Sequence, residues 1–339
     1  MTSPAPVKQI LAVIPPKAGG RAVSAGLASI FGSAAEVTVV ETTGEDKTAL
    51  RQADVIITGL GPVTAEDIAA AQALKLIQCA SHGFDYVDLA AAKSRGIIVC
   101  NIGSSKAEVQ DVAEQTFALM LALAKQLIPG HIALTQADWA LPRLEGHITE
   151  LYAKTLGIIG LGHIGQQVAR RAAAFDMNIV YADPLVSGTE LAGLKAARVE
   201  LEELLRISDY ITVHAPLTDE TRKMINAERL ALVKPTAFII NTARGAVIDQ
   251  DALADALEAG RIAGAGIDVF DPEPPTAALR LLRAPNVVLS PHAGGVTRET
   301  LARIARAAAS NVSEYLAGRP PADVVSGTGG SVCTPSVTA

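Results

Sequence analysis

The sequence predicts an α/β protein built from two doubly wound parallel-sheet domains. Three observations support this fold class: short apolar segments recur along the chain, helical patterns separate most of them, and one segment runs into a glycine-rich turn. Continuous apolar runs are typical of strands buried on both faces, and the helices between them cover those faces. At 339 residues the chain is long enough for two such domains.

The N-terminal third contains five predicted strands and three predicted helices. The strands are Ile10–Ile14, Val37–Val40, Val55–Thr58, Leu76–Ala80 and Ile97–Cys100, and the helices are Ala22–Phe31, Ala65–Ala73 and Val87–Ser94. Their alternation indicates a parallel sheet covered by helices. Because no glycine fingerprint follows any of these strands, we do not expect a second nucleotide site in this region.

A long apolar helix is predicted next, over Ala107–Gln126. It is apolar on more than one face, which fits a helix buried between domains, a subunit contact, or both. The segment that follows, Leu127–Ala153, is predicted to be irregular. Its tryptophan, Trp139, is interpreted as a packing residue or an interface anchor.

The second domain contains six predicted strands: Leu156–Gly160, Asn178–Ala182, Tyr210–Val213, Ala237–Asn241, Ala265–Asp268 and Val287–Ser290. A final helix, Thr297–Ala317, is predicted to cross back to the first domain. The first domain is therefore expected to be discontinuous, with residues 1–105 and 297–325 around a second domain of 106–296. The tail, 326–339, is rich in Gly, Ser and Thr and is predicted to be disordered.

Composition and charge exclude several classes of function. A net charge of −6, with no zinc spacing and no basic stripe, argues against a nucleic-acid partner. The cysteines Cys79, Cys100 and Cys333 show no metal-type spacing, and no metal site is predicted. The apolar segments are too short for a membrane span or for the apolar region of a signal peptide, so we expect a cytoplasmic protein.

The first strand of the second domain runs into a G-x-G-x-x-G turn formed by Gly160, Gly162 and Gly165, with His163 and Ile164 between the last two glycines. In this pattern the first glycine makes a tight turn, the second admits a pyrophosphate, and the third allows helix and strand to pack closely. The helix that begins near His163 would present its N-terminus to the anion. The motif predicts a dinucleotide-binding site.

An acidic residue, Asp183, follows the first motif glycine by about 20 residues, the spacing typical of this site. A carboxylate accepts hydrogen bonds from a free ribose 2′-hydroxyl and repels a 2′-phosphate. No arginine follows in Pro184–Val186. The predicted cofactor is therefore NAD, with NADP as the less favoured alternative.

Three reactive side chains follow predicted strands of this domain: Arg244, Glu273 and His292. Ligands of parallel sheets bind at the carboxyl ends of the strands, so we expect the three to meet in a cleft between the two domains. An arginine can bind a carboxylate bidentately and polarise a neighbouring oxygen. A histidine can exchange the proton of a substrate hydroxyl, and a carboxylate can orient its ring. The set suits hydride transfer on a 2-hydroxy acid.

Several spaced segments resemble the D-isomer-specific 2-hydroxyacid dehydrogenase family, over nearly the whole chain. They are GIIGLGHIG at the glycine turn, HAPLT at 214–218 with Thr221, NTARG at 241–245, DVFDPEPP at 268–275 and SPHAGG at 290–295. The resemblance implies a flavodoxin-like substrate domain, a Rossmann NAD-binding domain and a homodimer. It also implies that Arg244 binds the substrate carboxylate, that His292 is the general acid and base, and that Glu273 is its partner.

The resemblance also implies a set of cofactor contacts. Asp183 would bind the adenosine ribose, while Asp268 and the backbone around Thr242 and Ala243 would serve the nicotinamide end. The other predicted cofactor-binding residues are Gly160, Gly162, His163, Ile164, Gly165, His214, Ala215, Pro216, Thr221, Arg244, His292, Gly294 and Gly295.

Two segments depart from the family pattern. The substrate-domain loop, usually rich in small residues, reads Ser81-His82-Gly83-Phe84-Asp85, and Asn101–Ser105 lacks the Pro-Gly of many members. Both departures are expected to affect the choice of substrate and not the hydride chemistry. The predicted substrate-binding residues are Ser81, His82, Gly83, Asn101, Arg244 and His292.

The sequence therefore predicts an NAD-dependent oxidoreductase that interconverts a D-2-hydroxy acid and its 2-oxo acid. The sequence does not distinguish among the substrates, which range from glyoxylate and pyruvate to bulkier acids, including phosphoglycerate. Formate oxidation is disfavoured because Glu273 stands where that branch is expected to carry glutamine. The alternatives are oxidation of another anion such as phosphite, and an NAD-sensing interaction protein that resembles the corepressors built on this fold.

Overall fold

The computed structural model describes residues 7–18, 30–186, 190–191 and 193–326. This part of the chain forms two compact units: the first holds the residues up to Glu108 and those from Arg298 onward, and the second is Val109–Thr297. The predicted tail lies outside the described residues from 327 onward. The predicted helix Ala22–Phe31 also lies outside them, except for Ile30 and Phe31, which are helical.

The sheet of the first unit has five parallel strands: β1 (Lys8–Val13), β2 (Ala35–Val40), β3 (Val55–Thr58), β4 (Leu76–Cys79) and β5 (Ile98–Cys100). Their order is β2-β1-β3-β4-β5, the flavodoxin-like arrangement. Every residue of β3 and β4 is buried, which explains why both strands are mostly apolar. The predicted parallel sheet is confirmed, and a C-terminal strand, Val324–Ser326, adds an unpredicted antiparallel edge beside β5.

The helices that flank this sheet in the described residues are α1 (Lys47–Gln52), α2 (Ala65–Ala70), α3 (Leu89–Ser94) and the C-terminal helix Arg298–Leu316. Side-chain caps begin three of them. Asp46 caps α1, Thr64 and Asp67 form a capping box on α2, and Asp88 caps α3. The sequence pattern missed α1 because this helix buries only Leu50.

The sheet of the second unit has eight strands: β6 (Thr155–Ile159), β7 (Asn178–Ala182), β8 (Glu190–Leu191), β9 (Leu194–Arg198), β10 (Tyr210–Val213), β11 (Phe238–Asn241), β12 (Gly264–Ile267) and β13 (Val287–Leu289). Their order is β13-β12-β11-β10-β6-β7-β9-β8, and only the edge strand β8 is antiparallel to its neighbour. The order reverses between β6 and β10, as in a Rossmann fold. Strands β8 and β9 were not predicted because neither is a continuous apolar run.

The helices of this unit are α4 (Val109–Ala124), α5 (Leu127–Thr135), α6 (Leu141–Leu144), α7 (His163–Ala174), α8 (Leu201–Ile207), α9 (Ala227–Leu230) and α10 (Gln250–Glu258). The prediction that Leu127–Ala153 is irregular was wrong, because α5 and α6 lie in it. The apolar residues of α5 are not confined to one face, so they give no clear helical period. Among the described residues no single helix has the length and composition of a membrane span. Only α4 and α5 taken together do, across a 62° bend.

The residues predicted to bind the cofactor or to act in catalysis follow the carboxyl ends of five parallel strands, at one edge of this sheet. The glycine turn follows β6, His214 follows β10, Thr242 follows β11, Asp268 follows β12 and Ser290 follows β13. Because parallel strands all end at the same edge, residues distant in sequence come together there.

Candidate active site

The glycine turn after β6 has the shape that a pyrophosphate requires. Gly160 has a φ of +89°, and a Cβ atom there would lie 2.8 Å from the backbone nitrogen of Ala215. A Cβ on Gly165 would lie 2.2 Å from the carbonyl oxygen of Gly160. Gly162, which caps α7, has no atom within 4 Å of its Cβ position, so this side of the helix N-terminus is open to a ligand. His163 and Ile164 form the first turn of α7.

Asp183 lies just after β7 and is held against the glycine turn. Its Oδ2 accepts a hydrogen bond of 2.7 Å from the backbone of Leu161, and its Oδ1 accepts bonds of 2.8 and 3.1 Å from the backbones of Leu185 and Val186. A carboxylate has about four lone-pair sites, so it can still accept from a ribose hydroxyl. The open helix terminus and the oriented carboxylate fit the pyrophosphate and ribose of NAD.

His214 follows β10, and a Cβ atom on Gly160 would lie 2.8 Å from the carbonyl carbon of His214. Both ring nitrogens are buried and have no hydrogen-bond partner within the described part of the chain. Burial lowers the pKa of His214 to about 3, so the ring is neutral at neutral pH. In the loop that follows, Thr221 donates from Oγ1 to the carbonyl oxygen of Pro216 over 2.6 Å and so shapes the Ala215–Thr221 segment.

The turn after β11 carries Arg244 and is organised by Asn241, which is 1% exposed. Asn241 donates from Nδ2 to the carbonyl oxygen of Arg244 (2.9 Å) and accepts at Oδ1 from the backbone of Ala243 (3.0 Å). The Arg244 guanidinium donates to the carbonyl oxygen of Ala243 over 2.8 Å. Asn241 was not among the predicted site residues, although an Asn that begins a tight turn is a known sequence signal.

Two further contacts fix this turn. The Thr242 hydroxyl lies 3.0 Å from the hydroxyl of Thr116 on α4. A Cβ on Gly245 would lie 2.1 Å from the carbonyl carbon of Phe270, so the turn packs directly against the segment after β12. This contact brings the backbone beside Arg244 against the segment that leads to Glu273.

His292 and Glu273 form a direct pair. The Nδ1 atom of His292 lies 2.8 Å from Oε2 and 3.0 Å from Oε1 of Glu273, and that Oε1 also accepts from the backbone of Phe270 over 3.0 Å. An ionised carboxylate can only accept, so the hydrogen is on Nδ1 and the ring turns Nε2 toward other partners. This is the geometry of an imidazole oriented for proton exchange.

Asp268 holds the turn that carries His292. Its carbonyl oxygen accepts from the backbone of His292 over 2.7 Å, and its two carboxylate oxygens accept from the backbones of Ala293 and Gly294, each over 2.9 Å. His292 has a φ of +54°, in the left-handed region that non-glycine residues seldom adopt. The predicted role of Asp268 at the nicotinamide end is not tested by these bonds, but they show that its carboxylate stabilises the turn of His292, Ala293 and Gly294.

The predicted substrate-binding residues of the first unit form one cluster after β4 and β5. Ser81 donates from Oγ to the carbonyl oxygen of Gly83 over 2.7 Å, and Asn101 donates from Nδ2 to the carbonyl oxygen of His82 over 2.8 Å. The His82 Nδ1 atom lies 2.7 Å from Oε1 of Glu108. Glu108 was not predicted, since no local pattern links it to a loop 26 residues earlier. Among the described residues no group of three metal-ligating side chains is close enough to hold an ion.

Comparison with known proteins identifies the family of the chain. The family model described as D-isomer specific 2-hydroxyacid dehydrogenase, NAD binding domain, matches residues 117–294. D-3-phosphoglycerate dehydrogenase of Methanocaldococcus jannaschii is 41% identical over 278 residues, which are 81% of this chain and 52% of that protein. Hydroxypyruvate reductase of Thermotoga maritima is 41% identical over 252 residues, 74% of this chain and 80% of that protein.

The fold is also similar to that of solved structures. The NAD-dependent formate dehydrogenase of Staphylococcus aureus, in complex with NAD, superposes with a TM-score of 0.85 at 30% identity, covering 94% of this chain and 99% of that one. The chain spans about half the length of the phosphoglycerate dehydrogenase that it matches.

Proposed function

The chain belongs to the D-isomer-specific 2-hydroxyacid dehydrogenase family, and from this premise we propose that it interconverts a D-2-hydroxy acid and its 2-oxo acid with NAD. The family's NAD-binding domain matches residues 117–294, which supports NAD as the cofactor. The main support for the proposed reaction is the His292–Glu273 pair, in which Nδ1 of His292 lies 2.8 Å from the Glu273 carboxylate.

The second unit supplies the residues that would hold the cofactor. Gly160, Gly162 and the N-terminus of α7 would bind the pyrophosphate, and Asp183 would bind the adenosine ribose. When bound, NAD supplies the acceptor for the hydride from C2 of the hydroxy acid, and NADH supplies the hydride in the reverse direction.

Side chains of this protein would carry out the proton transfer and bind the substrate. In oxidation, Nε2 of His292 takes the proton of the C2 hydroxyl as the C2–H bond breaks, and in reduction it returns that proton to the oxygen. Glu273 keeps the ring oriented through Nδ1 and stabilises the imidazolium that forms. Arg244 binds the substrate carboxylate through its planar guanidinium and polarises the C2 oxygen.

A panel of 2-oxo acids tests this proposal. Glyoxylate, pyruvate, hydroxypyruvate and phenylpyruvate are each offered with NADH and with NADPH, and oxidation of the reduced cofactor is followed by absorbance. We expect turnover of at least one acid, with NADH favoured because Asp183 repels a 2′-phosphate. No turnover of any acid, together with NADH-dependent binding of a protein partner, would favour the corepressor-like alternative.

We propose that the protein is a homodimer, and the exposed apolar side chains after α4 support this. The predicted contact helix, Ala107–Gln126, is mostly buried as α4 against β11, β12 and β13 of its own unit. Six exposed apolar residues lie on α5, on α6 and between them: Leu127, Ile128, Ile132, Leu134, Trp139 and Leu141. Trp139 is 70% exposed, which favours its interpretation as an interface anchor. Light scattering of Trp139→Glu tests this, with a shift toward monomer expected.

A further inference from the structure

The helix α4 of the second unit carries two adjacent polar residues, Gln115 and Thr116, among mostly apolar ones. Thr116 is fully buried and Gln115 is half-buried. Apolar side chains are enough to pack a helix on a sheet, and a buried polar group costs free energy unless it is hydrogen-bonded. The polar residues therefore need an explanation, which their hydrogen-bond partners supply.

Gln115 contacts the turn after β13, which carries His292. The Nε2 atom of Gln115 donates to the Oγ atom of Ser290 over 2.8 Å. The carbonyl oxygen of Ser290 accepts from the backbone nitrogen of His292 over 3.1 Å. A Cβ atom on Gly294 would lie 3.6 Å from the Cβ atom of Gln115, so the next part of the turn packs on the same side chain. Gln115 therefore supports the backbone of His292 through Ser290.

Thr116 contacts the turn after β11, which carries Arg244. The single hydroxyl hydrogen of Thr116 is donated to the carbonyl oxygen of Val112 over 2.8 Å. In the 3.0 Å contact between the hydroxyls of Thr116 and Thr242, Thr242 is therefore the donor. Thr242 is 8% exposed and begins the turn. Thr116 thus fixes the chain just before Arg244.

The two hydrogen bonds connect turns that the sheet keeps apart. Strand β12 lies between β11 and β13. Neighbouring strands are about 4.8 Å apart, so the two turns start about 10 Å from each other. Adjacent residues of one helix bond to both turns. Hydrogen bonds that are shielded from water rigidify the segments that they join, so α4 holds the two turns in one frame.

We propose that Gln115 and Thr116 are positioning residues for hydride transfer: Gln115 sets the place of His292, and Thr116 sets the place of Arg244. This inference rests on the proposed function. Both residues act through the turns and not through a contact with the substrate. The acid and base and the carboxylate binder can serve one substrate only if their separation matches that of its hydroxyl and carboxylate groups. A displacement of about 1 Å can lower the rate by about 10²-fold.

The two residues should affect different kinetic constants, measured under saturating NADH with the 2-oxo acid that the wild-type protein turns over fastest. Gln115→Met keeps the length of the side chain and removes the bond to Ser290. Because His292 exchanges its proton only in the transition state, kcat should fall about tenfold and KM change less than about twofold. Thr116→Val keeps the shape and removes the hydroxyl. Because Arg244 binds the carboxylate before the reaction, KM should rise about tenfold and kcat change less than about threefold.

Three further variants separate positioning from a general loss of structure. Ser290→Ala should lower kcat as Gln115→Met does, and the double variant should stay within about twofold of either single one, because both changes remove the same bond. Thr116→Ser retains the hydroxyl and should retain the wild-type KM. The exposed Gln110 on the same helix accepts from Arg171 over 2.8 Å, and Gln110→Met is the matched control that should change neither constant.

The outcomes also distinguish the two proposals. An active wild-type protein, with unchanged kcat in Gln115→Met and unchanged KM in Thr116→Val, overturns the positioning roles and leaves the proposed function standing. The same change of both constants in both variants likewise overturns them. If either variant does not fold, the other decides, and an unchanged constant there overturns the inference. No turnover of any 2-oxo acid by the wild-type protein overturns the proposed function, and the inference with it.

Discussion

The backbone nitrogen of His292 donates to the carbonyl oxygen of Asp268 over 2.7 Å, and the carboxylate of the same Asp268 binds the next two backbone nitrogens. One buried residue at the end of β12 therefore fixes the conformation of the turn at the end of β13. His292 is held at a φ of +54° by these bonds while Glu273 holds its ring. The proposed acid and base is thus oriented from both its backbone and its side chain.

Replacing Asp268 by Asn should disturb this turn. An amide nitrogen cannot accept a hydrogen bond, so one of the two backbone N–H groups loses its partner, at a cost of about 1–3 kcal/mol in the free energy of unfolding. We expect a lower melting temperature and a lower kcat in Asp268→Asn. The exposed Asp219 gives the control variant Asp219→Asn, which should change neither. Unchanged stability and turnover in Asp268→Asn would contradict the positioning role.

Glu273→Gln tests the charge of the pair separately from its shape. The amide can still contact Nδ1 of His292, but it stabilises an imidazolium less well and can favour the wrong tautomer. We expect kcat with the preferred 2-oxo acid to fall by about 10²–10⁴-fold. NADH affinity, measured by fluorescence titration, should stay within about twofold of the wild-type value. A kcat within a few-fold of wild type would show that Glu273 has no role in the proton transfer.

Gly162→Ala separates cofactor binding from folding. No atom lies within 4 Å of the Cβ position, so the free protein should keep its melting temperature. The methyl group would occupy space through which the backbone approaches the pyrophosphate, so NADH affinity should fall by about tenfold or more. Gly146 also has nothing within 4 Å of its Cβ position, and Gly146→Ala should leave NADH affinity unchanged. Equal NADH affinity in both variants would place the pyrophosphate elsewhere.

His214 should make the protein less stable in acid. Burial lowers its folded-state pKa to about 3, below the ordinary value of 6.5. As the pH falls from 6.5 toward 3, the unfolded chain gains a proton that the folded chain cannot accept. The free energy of unfolding should therefore decrease by about 1.4 kcal/mol per pH unit in this window, in addition to other titrations. Above pH 6.5 the residue is neutral in both states and has no such effect.

Denaturant unfolding at several pH values measures this dependence. His214→Phe, which cannot titrate, should show a shallower loss of stability between pH 6.5 and 4 than the wild-type protein. The exposed His147 supplies the matched control variant His147→Phe, whose slope is measured alongside. Identical slopes in all three proteins would mean that His214 accepts a proton in the folded state.

The location of the reactive residues at strand ends could be predicted from the sequence. Buried parallel strands are recognised by their apolar runs, and they all end at one edge of the sheet. The pairing of His292 with Glu273 follows from that rule together with the family resemblance. The carboxylate contacts of Asp268 could not be predicted, since they depend on the left-handed backbone of His292. The pair of His82 and Glu108 was missed for a similar reason: the two residues lie on separate segments that only the folded unit brings together.

Errors in the fold prediction have equally local causes. The helices α5 and α6 carry exposed apolar residues such as Leu127 and Leu141, so they lack the one-sided pattern by which a packed helix is recognised. The edge strands β8 and Val324–Ser326 are too short to give a strand signal. Each missed element lacks a pattern that burial imposes on a sequence.

His292→Ala is the decisive variant for the proposed exchange of the substrate proton by His292. The variant is assayed with the preferred 2-oxo acid under saturating NADH, and NADH affinity is measured in parallel by fluorescence titration. We expect kcat to fall by at least about 10²-fold while the dissociation constant of NADH changes by less than about threefold. Turnover close to the wild-type rate, with NADH binding intact, would contradict it.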